Sequence, residues 1–404
     1  MDPNAPTALD GLPLTRRCPL DPPEELTRLR RSLVPMTYPD GHLGWLATGN
    51  AAARAVLADP RFTVRAEFQH APIPIDVPEA TRKQPVRPGM FTRMDAPEHV
   101  RYRRQLTGAF TVRRIRSMEP MIERIAVELL DEMERRHAER GVVDLVAEFA
   151  LPLPSLVICE LLGVPHGERS GFNEDSKALL ALDTPIDRRM RAFGAIAQLL
   201  ARLVAEKRAE PTDDLLSDLI TAGDLTDEEL VNIGTVLLVA GHETTANQIG
   251  LGVYALLQHP DQLRRFQEDE SIAGTAVEEM LRYLSIIHIG PVRTATEDVE
   301  VDGQLVRKGQ TVTISVPVAN RDPGRFPDPE RLDLGRSATG HLAFGHGVHQ
   351  CLGQQLARSE LRIAFTALFR RFPGLRLAVP VDEVPMRSDM GIYGVHELPV
   401  SWTG

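Results

Sequence analysis

Cysteine is scarce in this chain: Cys18, Cys159 and Cys351 are the three among 404 residues. An odd and widely spaced set builds no disulfide framework, so a reducing, cytoplasmic setting is expected. Positive charge is also short, with 46 Lys and Arg against 56 Asp and Glu and a net charge of −10. That balance argues against a general nucleic-acid binder. No apolar run reads as a bilayer span, and the N-terminal stretch MDPNAPTALDGLPLTRRCPLDPPEEL is polar and proline-rich rather than signal-like, so no membrane anchor is expected. Neither internal repeats nor low-complexity tracts stand out. What is present is 43% hydrophobic residues, over a length sufficient for one large domain or two.

The pattern centres on residues 341–362, HLAFGHGVHQCLGQQLARSELR. A glycine-broken loop ends on Cys351 and runs into a helix whose apolar stripe is Leu356, Ile363, Ala364, Ala367 and Leu368. A sulfur at a helix N-terminus faces backbone N–H groups and the positive end of the dipole, which favours thiolate, the metal-binding form. Gly345 and Gly347 allow positive φ, and Gly353 allows close approach of a flat ligand. Other readings compete. A buried structural cysteine is the commoner fate of a lone Cys. The His341, His346, His349 and Cys351 cluster suggests zinc, but H-x4-H-x2-H-x-C fits no usual zinc spacing. A dinucleotide loop fails because the sixth position of G-x-G-x-x-G is Gln350.

The second informative stretch begins with Thr226-Asp227-Glu228-Glu229, a capping box. The helix it opens runs to about Gln258, roughly 45 Å at 1.5 Å per residue. Residues Val231 to Ala240 are apolar nearly all round, so this helix is buried. Gly241 is a weak point there, costing about 1 kcal/mol against Ala. Glu243 is costly in a core unless paired, so a basic partner is one expectation for it. For Thr244, a hydroxyl bonded back to a carbonyl one turn earlier is the common arrangement. His242-Glu243 is no H-E-x-x-H zinc motif, since position 246 is Ala.

Elsewhere, His42–Ala47 alternates weakly as a strand, and Asn50–Ala58 reads as a helix stopped by Asp59-Pro60. Residues 66–90 form a long aperiodic loop. Asp95 is placed to cap the next helix with Pro97 in its first turn, and His99 and Arg103 share one face. Arg101, Arg104, Arg113, Arg114 and Arg116 form a basic cluster, either solvated or a docking face for an acidic partner. Helices such as Met118–Arg136 and Phe193–Lys207 flank a polar, irregular stretch at 166–190. Gly274–Tyr283 is a helix carrying Glu279 and Arg282, ordinarily a surface pair. Residues 292–316 alternate around an Asp-Gly turn and read as antiparallel strands, and GIYGVHELPVSW reads as a last hairpin.

Phe344 to Gly353 matches F-G-x-G-x-H-x-C-x-G, which resembles the haem-binding loop of cytochromes P450. Ala240–Thr244 is similar to that family's oxygen-binding groove, (A/G)-G-x-(D/E)-T. Asp95–Arg103 resembles its D-x-P-x-H-x-x-x-R, and Glu279/Arg282 with Pro329-Glu330-Arg331 its Glu-Arg-Arg network. The motifs stand in family order, from about residue 36 to the end. The resemblance implies a mainly helical prism with small β-sheets, a single domain over residues 1–404 with 1–35 a partly irregular extension. It implies non-covalent haem b, since no C-x-x-C-H occurs, with Cys351 the axial ligand and Phe344 beside the haem. His99, Arg103, Arg293 and His349 would hold the propionates, and Glu279, Arg282 and Arg331 would fix the loop before Cys351. Glu243 and Thr244 would deliver protons. Val236, Val239, Ala240, Ile287, His288, Ile289 and Ile392, with Phe91 on a lid, would line the substrate pocket. His288 would bond either backbone or a substrate oxygen. Segments 66–90 and 166–190 would be lids, and the turn of the last hairpin would point at the pocket.

The implied chemistry is O2- and NAD(P)H-dependent oxygenation of an apolar C–H or C=C bond. No flavin or iron–sulfur domain fits the sequence, so a separate ferredoxin and reductase would supply electrons to a monomeric enzyme. The last hairpin and the CLGQQLAR helix look most like actinobacterial members that tailor macrolides and other secondary metabolites. A peroxide-driven peroxygenase and a non-catalytic haem sensor are the rival readings.

Overall fold

The computed structural model describes residues 8–29, 32–75, 84–168 and 171–403. In chain order the main helices are α1 (Asn50–Ala58), α2 (Glu98–Thr107), α3 (Val112–Arg140), α4 (Pro152–Leu162), α5 (Gly171–Leu180), α6 (Ile186–Ala209), α7 (Asp227–Gln258), α8 (Ala273–Leu284) and α9 (Gln354–Arg371). The chain divides into two compact units, residues 1–86, 92–99 and 278–351 in the first, the remainder in the second.

The first unit is built on a six-stranded sheet of β1 (Leu9–Asp10), β2 (Leu33–Thr37), β3 (Leu43–Ala47), β9 (Thr311–Ile314), β6 (Val292–Ala295) and β4 (Phe62–Thr63), in that spatial order. Part of the N-terminal extension therefore belongs to a sheet, β1 lying parallel to β2. The strand expected at His42–Ala47 is β3, and α1 ends at Ala58, just before Asp59-Pro60, as its sequence requires. Leu33, Ala47, Val56, Val312 and Ile314 meet in one apolar cluster. The Asp-Gly turn joins β7 (Val299–Val301) to β8 (Gln304–Val306), with φ of 49° at Asp302 and 72° at Gly303. Positive φ at both central residues is what a tight hairpin turn of this hand demands.

Asp95 corrects one expectation. Its carboxylate does not serve as the side-chain cap of α2. It accepts from Val64 N at 3.1 Å and from the Thr63 hydroxyl, so it ties the approach to α2 onto β4. Only the Asp95 carbonyl serves the helix, accepting from His99 N at 2.9 Å.

The second unit is helical. The capping box at Thr226 is complete, and α7 is buried along most of its length, with α4, α6 and α9 packed against it. Gly241 does not interrupt α7. A Cβ there would meet Ile158 side-chain carbons at 2.8–2.9 Å, so glycine admits α4 to close contact rather than breaking the helix. The stretch 166–190 is largely helical where the sequence suggested irregular chain: it holds α5 and the start of α6. The burial of Phe172 stabilises α5, and such contacts lie outside a local reading. The C-terminal hairpin is also displaced. Met386 bridges Val395, with Arg387 N donating to Gly394 O, so residues 385–387 pair with 394–396. Pro399–Ser401 instead forms β11 between β10 (Arg376–Leu377) and β5 (Val143–Asp144). Residues 76–83 of the expected lid lie outside the described residues. Among those described, no helix is long and apolar enough to cross a membrane.

Candidate functional site

The loop before α9 has the geometry its glycines suggest. Gly345 and Gly347 adopt φ of 69° and 75°. At Gly347 a Cβ would stand 2.5 Å from Leu57 O, so this position also lets the loop lie against the end of α1. Cys351 N donates to Phe344 O at 2.9 Å, closing the loop. The Cys351 side chain is exposed and Phe344 half-buried, and none of the three cysteines is in a disulfide. The buried structural cysteine is thereby set aside. His341 Nε2 lies 3.1 Å from Glu278 Oε2, and among the described residues no group of three or more His, Cys, Asp or Glu side chains is placed to hold a metal ion.

His99 is buried, and its ring lies 4.0 Å from that of His349, centroid to centroid. Arg293 is 8% exposed and its Nη1 donates to Val292 O at 2.9 Å. Burial pushes its guanidinium down to about 10, with only the Asp95 charge opposing. Among the described residues it forms no ion pair. A buried guanidinium without a carboxylate is costly and calls for an anion. An exposed sulfur, a half-open aromatic and that buried cation suit a flat apolar group bearing carboxylates, so the residues present fit haem. Arg103 is half-buried on α2.

The Glu-Arg network exists with one member exchanged. Glu279 and Arg282 are fully buried, and Arg282 donates to the carboxylate from Nε and Nη2, at 2.7 and 2.8 Å. Arg282 also donates to the carbonyls of Asn320, Pro329 and Arg331, and Asn320 Oδ1 accepts from Leu342 N at 2.7 Å at the start of the cysteine loop. The third member is Arg336, its guanidinium 3.1 Å from Glu279 Oε1, while the expected Arg331 is exposed and offers only its carbonyl. Arg282→Met should destabilise the fold by about 3–5 kcal/mol, because it strands a buried carboxylate. Arg336→Met should cost about 1–3 kcal/mol through lost charge-assisted bonds. Arg331→Met should leave the denaturation midpoint unmoved. Equal losses for Arg331 and Arg336 would reverse the assignment.

On α7 the sequence-predicted residues separate into two faces. Val236, Val239 and Thr244 are half-buried and Ala240 exposed, a strip at helical spacing on an otherwise buried helix. His242 and Glu243 point into protein. Thr244 Oγ1 donates to Ala240 O at 3.0 Å, the back-bonded arrangement expected of a helix Thr. Glu243 has a basic partner, Arg387, with Nη2–Oε2 at 3.0 Å. His242 Nδ1 bonds Leu238 O at 2.7 Å, and burial lowers its pKa. Glu360 on α9 is fully buried, and burial pushes its carboxyl well up despite a hydrogen bond with Thr245. Sequence reading named neither Arg336, Arg387 nor Glu360, and no local motif marks them.

Of the other residues expected to line a pocket, Ile287 is half-buried and packs on the apolar cluster of the first unit. Ile289 and Ile392 are half-buried, whereas Phe91 and His288 are buried. Within the basic cluster Arg101 pairs with Glu229 at 2.5 Å and Arg114 with Asp213 at 3.5 Å, leaving Arg104, Arg113 and Arg116 exposed.

The family model for Cytochrome P450 matches residues 67–399. The chain belongs to the cytochrome P450 family of haem-thiolate monooxygenases, which hold haem b non-covalently and draw electrons from NAD(P)H through redox partners. Within it, the chain is 49% identical to Cytochrome P450 105C1 of a Streptomyces species, over 94% of this chain and 95% of the relative. It is 44% identical to pentalenic acid synthase of Streptomyces avermitilis, over 97% of each. The crystal structure of CYP105P1 in complex with filipin I superposes with a TM-score of 0.89 at 43% identity, over 98% of this chain and 99% of that one.

Proposed function

We propose that this monooxygenase oxidises an apolar C–H or C=C bond of a natural product, of macrolide-polyketide type, with electrons from a separate ferredoxin and its reductase. It would act in the cytoplasm as a monomer and a single catalytic domain. The observation carrying this reading is the strip of Val236, Val239, Ala240 and Thr244, an apolar face ending in a hydroxyl. Relatives named for pentalenic acid synthesis and seen with filipin I support the substrate class. Exposed Arg104, Arg113 and Arg116 suit an acidic electron donor.

In this reading Cys351 ligates the iron beside Phe344, and His99, Arg103, Arg293 and His349 hold the propionates. Glu279, Arg282 and Arg336 keep the loop in place. Bound haem supplies the reductive activation of O2, which consumes two protons. Bulk water is excluded from an apolar pocket, so the chain's own groups must pass those protons. The Thr244 hydroxyl has its proton on Ala240 O, so its lone pairs accept a hydrogen bond and orient a proton donor along the strip. Glu243, one residue back, exchanges protons with water and hands them toward Thr244. Ile287, Ile289, Ile392 and Phe91 add apolar contact, and His288 bonds a substrate oxygen.

Purified holoprotein with NADPH, ferredoxin and ferredoxin reductase should turn over ligands that give difference spectra, screened across macrolactones, steroids and terpenes. Turnover with peroxide alone, and none with the electron-transfer chain, would establish the peroxygenase instead. Haem binding with neither turnover would leave a sensor.

A further inference from the structure

The root of the 66–90 segment is fastened to the six-stranded sheet through two histidines. His42 lies in the turn between β2 and β3, which Tyr38 N closes on His42 O at 2.8 Å and Gly41 N on Tyr38 O at 2.9 Å. His70 lies in the segment itself. The two half-buried rings stack at 3.6 Å between centroids, 3° from parallel, and the Tyr38 ring stands edge-on to both. The chain beside His70 is laid on β6 and β9. Thr294 Oγ1 donates to Phe68 O at 3.1 Å, Gln69 Nε2 to Val292 O at 3.0 Å and His70 N to Thr311 Oγ1 at 3.3 Å.

The two rings have unequal surroundings. His70 Nδ1 lies 2.7 Å from Asp40 Oδ2, so a proton on His70 is shared with a carboxylate. His42 Nε2 accepts from Thr311 N at 3.2 Å, which requires that nitrogen to be bare. A proton there would set donor against donor and, with His70 charged, two cations face to face at 3.6 Å. Burial and the neighbouring His70 lower the pKa of His42, with only Asp40 opposing. Tyr38, the third titratable ring, is kept protonated by burial, its hydroxyl 2.8 Å from Thr313 Oγ1. A cavity of about 550 Å³, lined by Asp40, Glu67, Phe68, His70, Thr294 and Lys308, opens beside His70. Its other charged groups are Lys308 and Glu67, the latter already bonded to Arg65 at 2.8 Å.

We propose that the His42–His70 stack is a proton-operated clasp: neutral His42 holds residues 68–70 on β6 and β9, and a proton on His42 Nε2 releases them. His42 is the fixed half, because backbone bonds close its turn, whereas residues 68–70 are held through side chains and are the half that moves. The released imidazole titrates at its ordinary value of about 6.5, and the clasped one lower. The clasp is therefore at full strength above that pH and weakens as pH falls through it, by up to about tenfold per unit. Where residues 66–90 cover the pocket, acid also speeds ligand entry; this second effect rests on that lid role, and the clasp does not.

In the holoprotein, amide hydrogen exchange of residues 66–75, corrected for its intrinsic pH dependence, should accelerate about tenfold per unit below about pH 6.5. His42→Gln, whose amide oxygen still accepts from Thr311 N but takes up no proton, should hold exchange flat. His70→Phe, which keeps a flat ring on His42 without a charge, should show a smaller total rise than wild type. A flat wild type, an unaltered rise in His42→Gln, or equal rises in wild type and His70→Phe overturns the clasp. If His42→Gln does not retain haem, the His70→Phe comparison decides. Association of n-octyl isocyanide with the reduced haem, a neutral iron ligand with an apolar tail, should quicken in step with exchange. Isocyanide association that ignores pH, beside exchange that behaves as expected in all three proteins, removes the lid role and leaves the clasp.

Discussion

Cys351→Ser should abolish the strongly red-shifted Soret band that carbon monoxide gives with reduced, thiolate-ligated haem, and NAD(P)H-driven product formation with it. The expectation follows from the loop. Closure by Cys351 N on Phe344 O, positive φ at Gly345 and Gly347, and contact with the end of α1 hold the sulfur exposed ahead of α9. A hydroxyl there is far less acidic than a thiol and cannot supply the electron density that favours O–O cleavage. The proposed propionate clamp is separable from the proposed ligand. Arg103→Ala with Arg293→Ala should keep the thiolate spectrum but lower haem retention, each charge-assisted bond being worth about 1.5–3 kcal/mol. A carbon-monoxide band of histidine ligation in the wild-type protein would dismiss Cys351, and full haem occupancy in the double variant would dismiss the clamp.

Thr244→Ala should bind haem and substrate and consume NAD(P)H, yet form about tenfold less product per NAD(P)H, the worth of one neutral hydrogen bond. Hydrogen peroxide should rise to make up the difference. The methyl group removes the lone pairs that face the open strip, and it spares α7, because the bond to Ala240 O is an addition to a helix already hydrogen-bonded through its backbone. Glu243→Gln should slow the whole cycle instead, since proton supply falls while orientation at Thr244 is intact. The product-to-NAD(P)H ratio decides the matter, and an unchanged ratio in Thr244→Ala would favour proton delivery by the substrate itself or the peroxygenase reading.

The sequence alone determined the features that depend on neighbours a few residues apart. The capping box at Thr226, the glycine-shaped loop into Cys351, the Asp-Gly hairpin and the burial of most of α7 are all local in this sense, because backbone conformation and helical period repeat over three or four residues. Tertiary structure decided which charge meets which. Arg331 and Arg336 stand equally far downstream of Glu279 for any local reading, and the fold turns Arg336 inward while leaving Arg331 exposed. Asp95 looks like a cap and is taken by β4, Gly241 looks like a break and is a packing contact with Ile158, and α5 looks irregular until Phe172 is buried. Glu243 called for a cation, but that the cation is Arg387 emerged only once the hairpin was seated on α7. The physical reason is common to all: a buried charge is stabilised by whichever partner the packed chain brings within about 3–4 Å, and sequence spacing carries no information about that distance.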